Sequence, residues 1–305
     1  MATPASVLSV ADLAADDIWG LIQRAVSLKT QPSPSQLQGK VLALLFEKPS
    51  LRTRVSFDVA IYQLGGHAVY LSPEEVGLGK REAIPDAART LGRYVDCIAA
   101  RTFSHQSLET LARYAGVPVI NALSDHEHPC QALGDLLTIY EKKGRLAGLK
   151  LAFVGDGNNV ARSLLLASSL VGLDFHIASP LGHELRGAVV RQAESFAAQS
   201  GASISLTSDT RAAVKDADVV YTDVWTSMGQ EAEAEARRVA FASYRVDDQL
   251  LSLARGDVLF MHPLPAHHGE EIAQGLLDHP RSVVFDQAEN RLHIQKAVLL
   301  RLLCS

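Results

Sequence analysis

The sequence predicts an α/β protein of two lobes, each a largely parallel sheet flanked by helices. Three observations predict it. Short apolar runs such as VLALLF (41–46) and LKLAFV (149–154) recur, of the kind a parallel sheet buries on both faces. Stretches of helical period lie between them, so strands alternate with helices. One charged, glycine-containing break, EKKGRLAGLK (141–150), separates two such alternations.

The elements follow in order. An amphipathic helix opens the chain with Ile18, Leu21, Ile22 and Ala25 on one side. VLALLF leads into FEKPSLRTR, and RVSFDVAIYQLGG reads as a helix with Val55, Val59 and Tyr62 on its apolar face and a glycine pair to stop it. HAVYL is the next strand, AIPDAARTLGRY a helix, and VDCIAAR a strand ending at Arg101. A helix near 107–114, the strand VPVINA and the loop LSDHEHPCQ complete the first alternation, the loop entering a helix through Tyr140. The second runs through VGDGNNVARS, ASISLTS, ADVVYTDVW, DVLFMHPLPA and SVVFD. QAENRLHIQKAVLLRLLC is a final apolar-striped helix, one element beyond the second sheet and expected to return to the first lobe. Ligands of open α/β sheets bind at the carboxyl ends of the strands, so the loops there carry the chemistry.

Composition narrows the function. The 305 residues are 47% hydrophobic and 21% charged, ordinary for a soluble globular protein. The net charge of -5 argues against a general nucleic-acid binder, so any attraction for anions is local. Cys97, Cys130 and Cys304 form a sparse set without CxxC spacing, which suits a reducing compartment. The N-terminus lacks the pattern of a signal peptide, and no apolar run reaches the roughly 18–20 residues that span a bilayer. The expectation is a cytoplasmic protein without membrane or nucleic-acid partners.

Several stretches carry chemistry. Lys48, Arg52 and Arg54 crowd a helix start, where each cation is misplaced by about 0.3–1 kcal/mol against the helix dipole. With Ser50, Thr53 and the orphan backbone N–H groups, the same arrangement suits a bound phosphate; a solvated basic helix start is the plainer alternative. The loop is not a Walker A sequence. His128 and Gln131 in DHEHPCQ lie three residues apart at a helix mouth, placed to hydrogen-bond a carbonyl and its amide, although a histidine before proline is often structural. His126 and His128 lack the spacing of a metal site. VGDGNN follows a strand and precedes a helix, but Val160 occupies the third glycine position and the next strand ends HIASP without a ribose-binding acid. A small molecule held by Asn159 fits better than a nicotinamide cofactor. TDVWTSMGQE supplies Asp223, Ser227 and Met228, with Trp225 an unusual apolar choice for an exposed turn. MHPLPA places two prolines around Leu264 in a stiff turn, and Arg291 is expected near the start of the terminal helix.

Together, in this order, SxRTR after a strand, HPxQ at a helix start, DxWxSMGQE and HxLPA resemble the aspartate/ornithine carbamoyltransferase family over essentially the whole chain from Val41. The SMG loop is similar to that of the family's ornithine enzymes. The resemblance implies carbamoyl phosphate binding by Ser50, Leu51, Arg52, Thr53, Arg101, His128, Gln131, Pro263, Leu264 and Arg291. It implies L-ornithine binding by Asn159, Asp223, Ser227 and Met228, with catalysis by Arg52, Thr53, Arg101, His128 and Asp223. It implies no cofactor, no metal, and a homotrimer or an assembly of trimers. The expected division is residues 1–142 with 287–305 for carbamoyl phosphate and 143–286 for ornithine. Three positions depart from the family: Leu51 replaces a threonine, Pro263 replaces the cysteine of HCLP, and Gly77 stands where relatives often place a side chain that reaches a neighbouring subunit, with Lys80 nearby.

The reaction expected is transfer of the carbamoyl group to the side-chain amine of ornithine, giving citrulline and phosphate. Rival readings are a carbamoyltransferase for aspartate, putrescine or an acylated ornithine, a nicotinamide-dependent dehydrogenase built on GDGNN, and a non-catalytic phosphometabolite sensor.

Overall fold

A computed structural model describes residues 6–30, 35–79, 81–226 and 231–304. Two compact units emerge: one runs to Leu137 and takes up again from Glu289, and the other comprises Thr138–Ala288. The sheet of the first unit contains β1 (Val41–Phe46), β2 (His67–Leu71), β3 (Cys97–Arg101) and β4 (Val119–Leu123), in the order β2-β1-β3-β4. That of the second contains β5 (Lys150–Val154), β6 (Asp174–Ala178), β7 (Ile204–Thr207), β8 (Val219–Thr222) and β9 (Leu259–Met261), in the order β7-β6-β5-β8-β9. Every strand pair is parallel.

The orders matter for function. In the first sheet the chain leaves β1 to one side for β2 and returns to the other for β3; in the second it does the same about β5. Ligands of such sheets sit at these reversals, outside the carboxyl ends of the strands. The loops after β1 and β3, and those after β5 and β8, therefore hold the side chains of interest.

Central strands are buried on both faces, as continuous apolar runs require: every residue of β3 is buried, and all of β1 except Val41. The helix after β1, Leu51–Gln63, differs from the sequence expectation. It buries Thr53, Phe57, Ala60 and Ile61, whereas Val55 is 50% and Tyr62 77% exposed. Both sets recur with helical period. The stripe carrying Phe57 and Ile61 removes more apolar area from water and takes the core.

SVVFD is not a strand. Ser282 makes a single parallel bridge to Phe260, and the chain then enters the helix Val284–Leu303. That early start leaves Arg291 two turns inside the helix rather than near its beginning. From Glu289 onward the helix belongs to the first unit, where Arg301 pairs with Asp17 at 2.8 Å and Lys296 donates to Gln63 at 3.0 Å. Among the described residues no helix is long and apolar enough to cross a membrane.

Candidate active site

In the first unit the strand ends converge on a cationic half-site. Ser50 caps the helix after β1, its hydroxyl accepting from the Thr53 amide at 3.3 Å. Leu51 is 76% exposed, so its side chain packs against little and its backbone N–H is what the position offers. Arg101, the last residue of β3, is buried. Beyond β4, buried Glu127 accepts from the Ser9 hydroxyl at 2.6 Å and the Val10 amide at 2.9 Å, pinning the turn that delivers His128. Arg291, also buried, brings Nη2 to Thr53 Oγ1 at 2.5 Å.

Arginines crowd one another in this half-site. Burial, with Arg291, Arg101 and Arg52 adding to it, holds the His128 imidazole well below the ordinary histidine range, so the ring is neutral at pH 7. Burial, then Arg291 and Arg52, lowers the Arg101 guanidinium to about 10. Arg54, by contrast, lies over the Tyr70 ring at 3.7 Å, and the Lys48 ammonium lies 4.2 Å from the Phe103 ring. Gln131 is 1% exposed; its Nε2 donates to Asp135 Oδ1 at 2.8 Å, while its Oε1 is buried without a hydrogen bond. That oxygen is an acceptor in search of a donor.

The second unit builds a different half-site. Asp223 follows β8 and is 8% exposed. Its Oδ2 accepts from Asn158 Nδ2 at 2.8 Å and its Oδ1 from the Val224 amide at 2.8 Å. Burial raises the Asp223 carboxyl above its ordinary value, only partly opposed by His262, Asn158 and the Val224 amide. The strand β9 runs into His262, whose Nδ1 accepts from the Leu264 amide at 2.9 Å and whose Nε2–H donates to Glu271 Oε1 at 3.2 Å. Burial alone would raise Glu271, but the bonds from His262 and the His267 amide hold it below the usual carboxylate range. Pro263 is buried, and Leu264 sits in the left-handed region with φ of 56°. A non-glycine residue held there costs about 1–3 kcal/mol, which places backbone strain in this turn.

Asn159 is the first residue of the helix Asn159–Val171, but the preceding Asn158 is its cap and the partner of Asp223. Asn158 is a further residue of this half-site beside the expected Asn159, and an N-cap preference applied to GDGNN points to it. Glu271 left no local signal, since its partner lies nine residues away through a folded turn. Trp225, expected in an exposed turn, is 4% exposed within the core around Phe241 and Tyr244. Ser227, Met228 and Lys80 lie outside the described residues. Gly77 ends a short helix with φ of 47°, and a Cβ there would lie 2.9 Å from that of Arg81, so the backbone itself favours glycine. His267, Glu270 and Glu271 bring ligand atoms within 4.8 Å of one another. Glu271 is already committed to His262 and Glu270 to Arg238 at 3.0 Å, so the cluster reads as a structural network.

Comparison with known proteins agrees across the chain. Two family models match, the carbamoyl-P binding domain of aspartate/ornithine carbamoyltransferases over residues 5–141 and their Asp/Orn binding domain over residues 147–302. The chain is 53% identical over 300 residues to an ornithine carbamoyltransferase of Anoxybacillus flavithermus, covering 97% of this chain and 96% of that one. The solved ornithine carbamoyltransferase of Pyrococcus furiosus superposes with a TM-score of 0.96 at 51% identity, over 99% of this chain and 98% of the other. An acetylornithine transcarbamylase complexed with acetylcitrulline is more distant, at 33% identity with a TM-score of 0.89, over 98% of this chain and 99% of the other.

Proposed function

The chain belongs to the aspartate/ornithine carbamoyltransferase family, and from that premise we propose that it transfers the carbamoyl group of carbamoyl phosphate to the side-chain amine of L-ornithine, giving L-citrulline and phosphate. One observation carries the reading: Arg52, Arg101 and Arg291 crowd the buried His128 at the switch point of the first sheet, and Arg291 reaches the Thr53 hydroxyl there. A phosphate dianion converts that mutual repulsion into paired, charge-assisted hydrogen bonds.

The chemistry follows from the groups present. The neutral amine of ornithine attacks the carbamoyl carbon, a C–N bond forms, and the carbonyl oxygen takes up charge in a tetrahedral intermediate. Arg52, Thr53, Arg101 and His128 stabilise that oxygen; a donor of this kind is typically worth about 2.7–4 kcal/mol. Gln131 Oε1, its amide nitrogen already given to Asp135, accepts from the carbamoyl NH2. The C–O bond to phosphate then breaks, and the leaving phosphate takes the amine proton. Asp223, held by Asn158, orients the incoming amine with the carbonyls of the Pro263–Leu264 turn. Asn159, Ser227 and Met228 complete the ornithine side of the proposal.

The reading includes a cytoplasmic homotrimer or an assembly of trimers. The exposed stripe of Leu51, Val55 and Tyr62 beside the phosphate loop offers a face for another copy. The three cysteines are all free thiols, in keeping with a reducing compartment. Pro263, standing where the ornithine enzymes place cysteine, favours one second reading: another acceptor amine, such as N-acetylornithine. Incubation with carbamoyl phosphate and, separately, ornithine, N-acetylornithine, putrescine and aspartate decides between them. Ureido product from ornithine alone is expected; product from another amine alone sinks the ornithine assignment.

A further inference from the structure

Resting on the reading of Asp223 as the acid that receives the amine, we propose that Arg237 is a positioning residue for the acceptor: it clasps the chain on both sides of Asp223 and so sets how ornithine is held. Arg237 belongs to the helix Ala234–Phe241 and is 4% exposed. Its Nη2 donates to Asp156, its Nε donates to the Trp225 carbonyl at 2.5 Å, and its Nη1 lies 3.3 Å from His183 Nδ1. Glu233 lies 3.7 Å from the same Nη1, and the Phe241 ring centroid is 5.2 Å from the guanidinium carbon. One side chain thus joins the turn after β5, the loop after β6, the segment after β8 and its own helix.

Two of those attachments bracket the acid. Asp156 stands two residues before Asn158, which donates to Asp223 Oδ2, and Trp225 stands two residues after Asp223. The turn between Asp156 and Asn158 has no room to shift. A Cβ on Gly157 would lie 2.5 Å from the Leu185 nitrogen, and the Gly157 amide donates to the His183 carbonyl at 2.8 Å. Arg237 therefore fastens a turn already pressed against the 183–185 segment. Asn158 can serve Asp223 only while that turn is in place, because its Oδ1 is at the same time occupied by the Val160 and Ala161 amides, each at 3.0 Å.

Charge supports the same role. Burial pushes the Asp156 carboxyl up; Arg237 and His183 oppose this, and Asp223 adds to it. Arg237, paired with Asp156, offsets the acid that neighbours Asp223 and leaves Asp223 to the substrate amine. A buried ion pair that served only the fold would have no reason to act on one substrate more than the other.

The experiment compares Arg237→Gln, Arg237→Lys and Asp156→Asn with the wild type, measuring KM for ornithine, KM for carbamoyl phosphate and kcat, after circular dichroism has established folding. Arg237→Gln is expected to raise the ornithine KM about tenfold or more, equivalent to about 1.4 kcal/mol, and to leave that for carbamoyl phosphate within about twofold. Arg237→Lys restores part of the loss, and Asp156→Asn gives the same one-sided signature even if Arg237→Gln does not fold. Both KM values rising together, or kcat falling with both unchanged, overturns the proposal. A wild type that carbamoylates a different amine defeats the ornithine assignment alone, and the split is then read on that amine. A wild type that carbamoylates none removes the premise and this inference with it.

Discussion

Asp223 shows how a single side chain can be costly for the fold and necessary for the chemistry. Its carboxylate is buried beside Asp156 and Glu271, with His262 and Asn158 as its compensation. The raised carboxyl means that the native state holds a proton the unfolded chain releases, so ionisation of Asp223 subtracts stability as pH rises above the unfolded value. Asp223→Asn is therefore expected to raise the melting temperature at pH 7, by about 2–4 °C for each kcal/mol relieved. The gain fades on acidification, where the wild-type carboxyl is already protonated. Ornithine-dependent turnover falls by about two orders of magnitude or more in the same variant, comparable to loss of one oriented polar partner. A melting temperature below wild type at pH 7 would show that the hydrogen bonds, not burial, dominate at this residue. The types of these residues were legible in the sequence, since Asp223, His128 and Gln131 belong to recognisable short patterns. The Asp135 partner of Gln131 lies one helical turn away and was legible too, whereas Asn158 meets Asp223 only through the folded chain.

At the scale of elements, the helix Asn159–Val171 couples stability to the site through one residue. Asn158 caps it with Oδ1 and holds Asp223 with Nδ2. Asn158→Ala loses both functions and is expected to cost about 0.5–2 kcal/mol of stability. Asn158→Ser keeps a capping oxygen but has no amide to give Asp223, so it should retain most of the stability while raising the ornithine KM. Urea denaturation beside steady-state kinetics separates the two; a wild-type ornithine KM in Asn158→Ser would mean the amide bond to Asp223 is inconsequential. The nine strands among the described residues were legible as elements because a continuous apolar run leaves few alternatives in an alternating α/β chain. The buried face of the helix Leu51–Gln63 is not legible because two apolar stripes share its period, and only packing against the sheet chooses between them. SVVFD resembles a strand in sequence because a short β-branched run looks alike at the start of a buried helix, and the helix therefore begins earlier relative to Arg291 than its sequence suggests.

Taken whole, the molecule carries a net charge of -5 yet gathers three arginines around one strand reversal of its first unit. Repulsion among them is relieved by a bound dianion, so inorganic phosphate should raise the melting temperature more than chloride does at matched ionic strength. The stabilisation is about 2.7 kcal/mol at a ligand concentration one hundred times its dissociation constant. Arg52→Ala should abolish this difference, and with it carbamoyl phosphate turnover, while leaving the fold intact. A phosphate shift that persists undiminished in Arg52→Ala would place the anion elsewhere. The amino-acid sequence by itself determined the alternation of strands and helices, the parallel sheets and the loops that bear the charged and polar groups, because apolar period and loop chemistry act over neighbouring residues. Only the tertiary structure decided which face of Leu51–Gln63 enters the core, that Asn158 holds Asp223, and that Arg291 reaches Thr53 from the far end of the chain. These choices depend on groups brought together by strand order and buried jointly, and no local pattern encodes that burial.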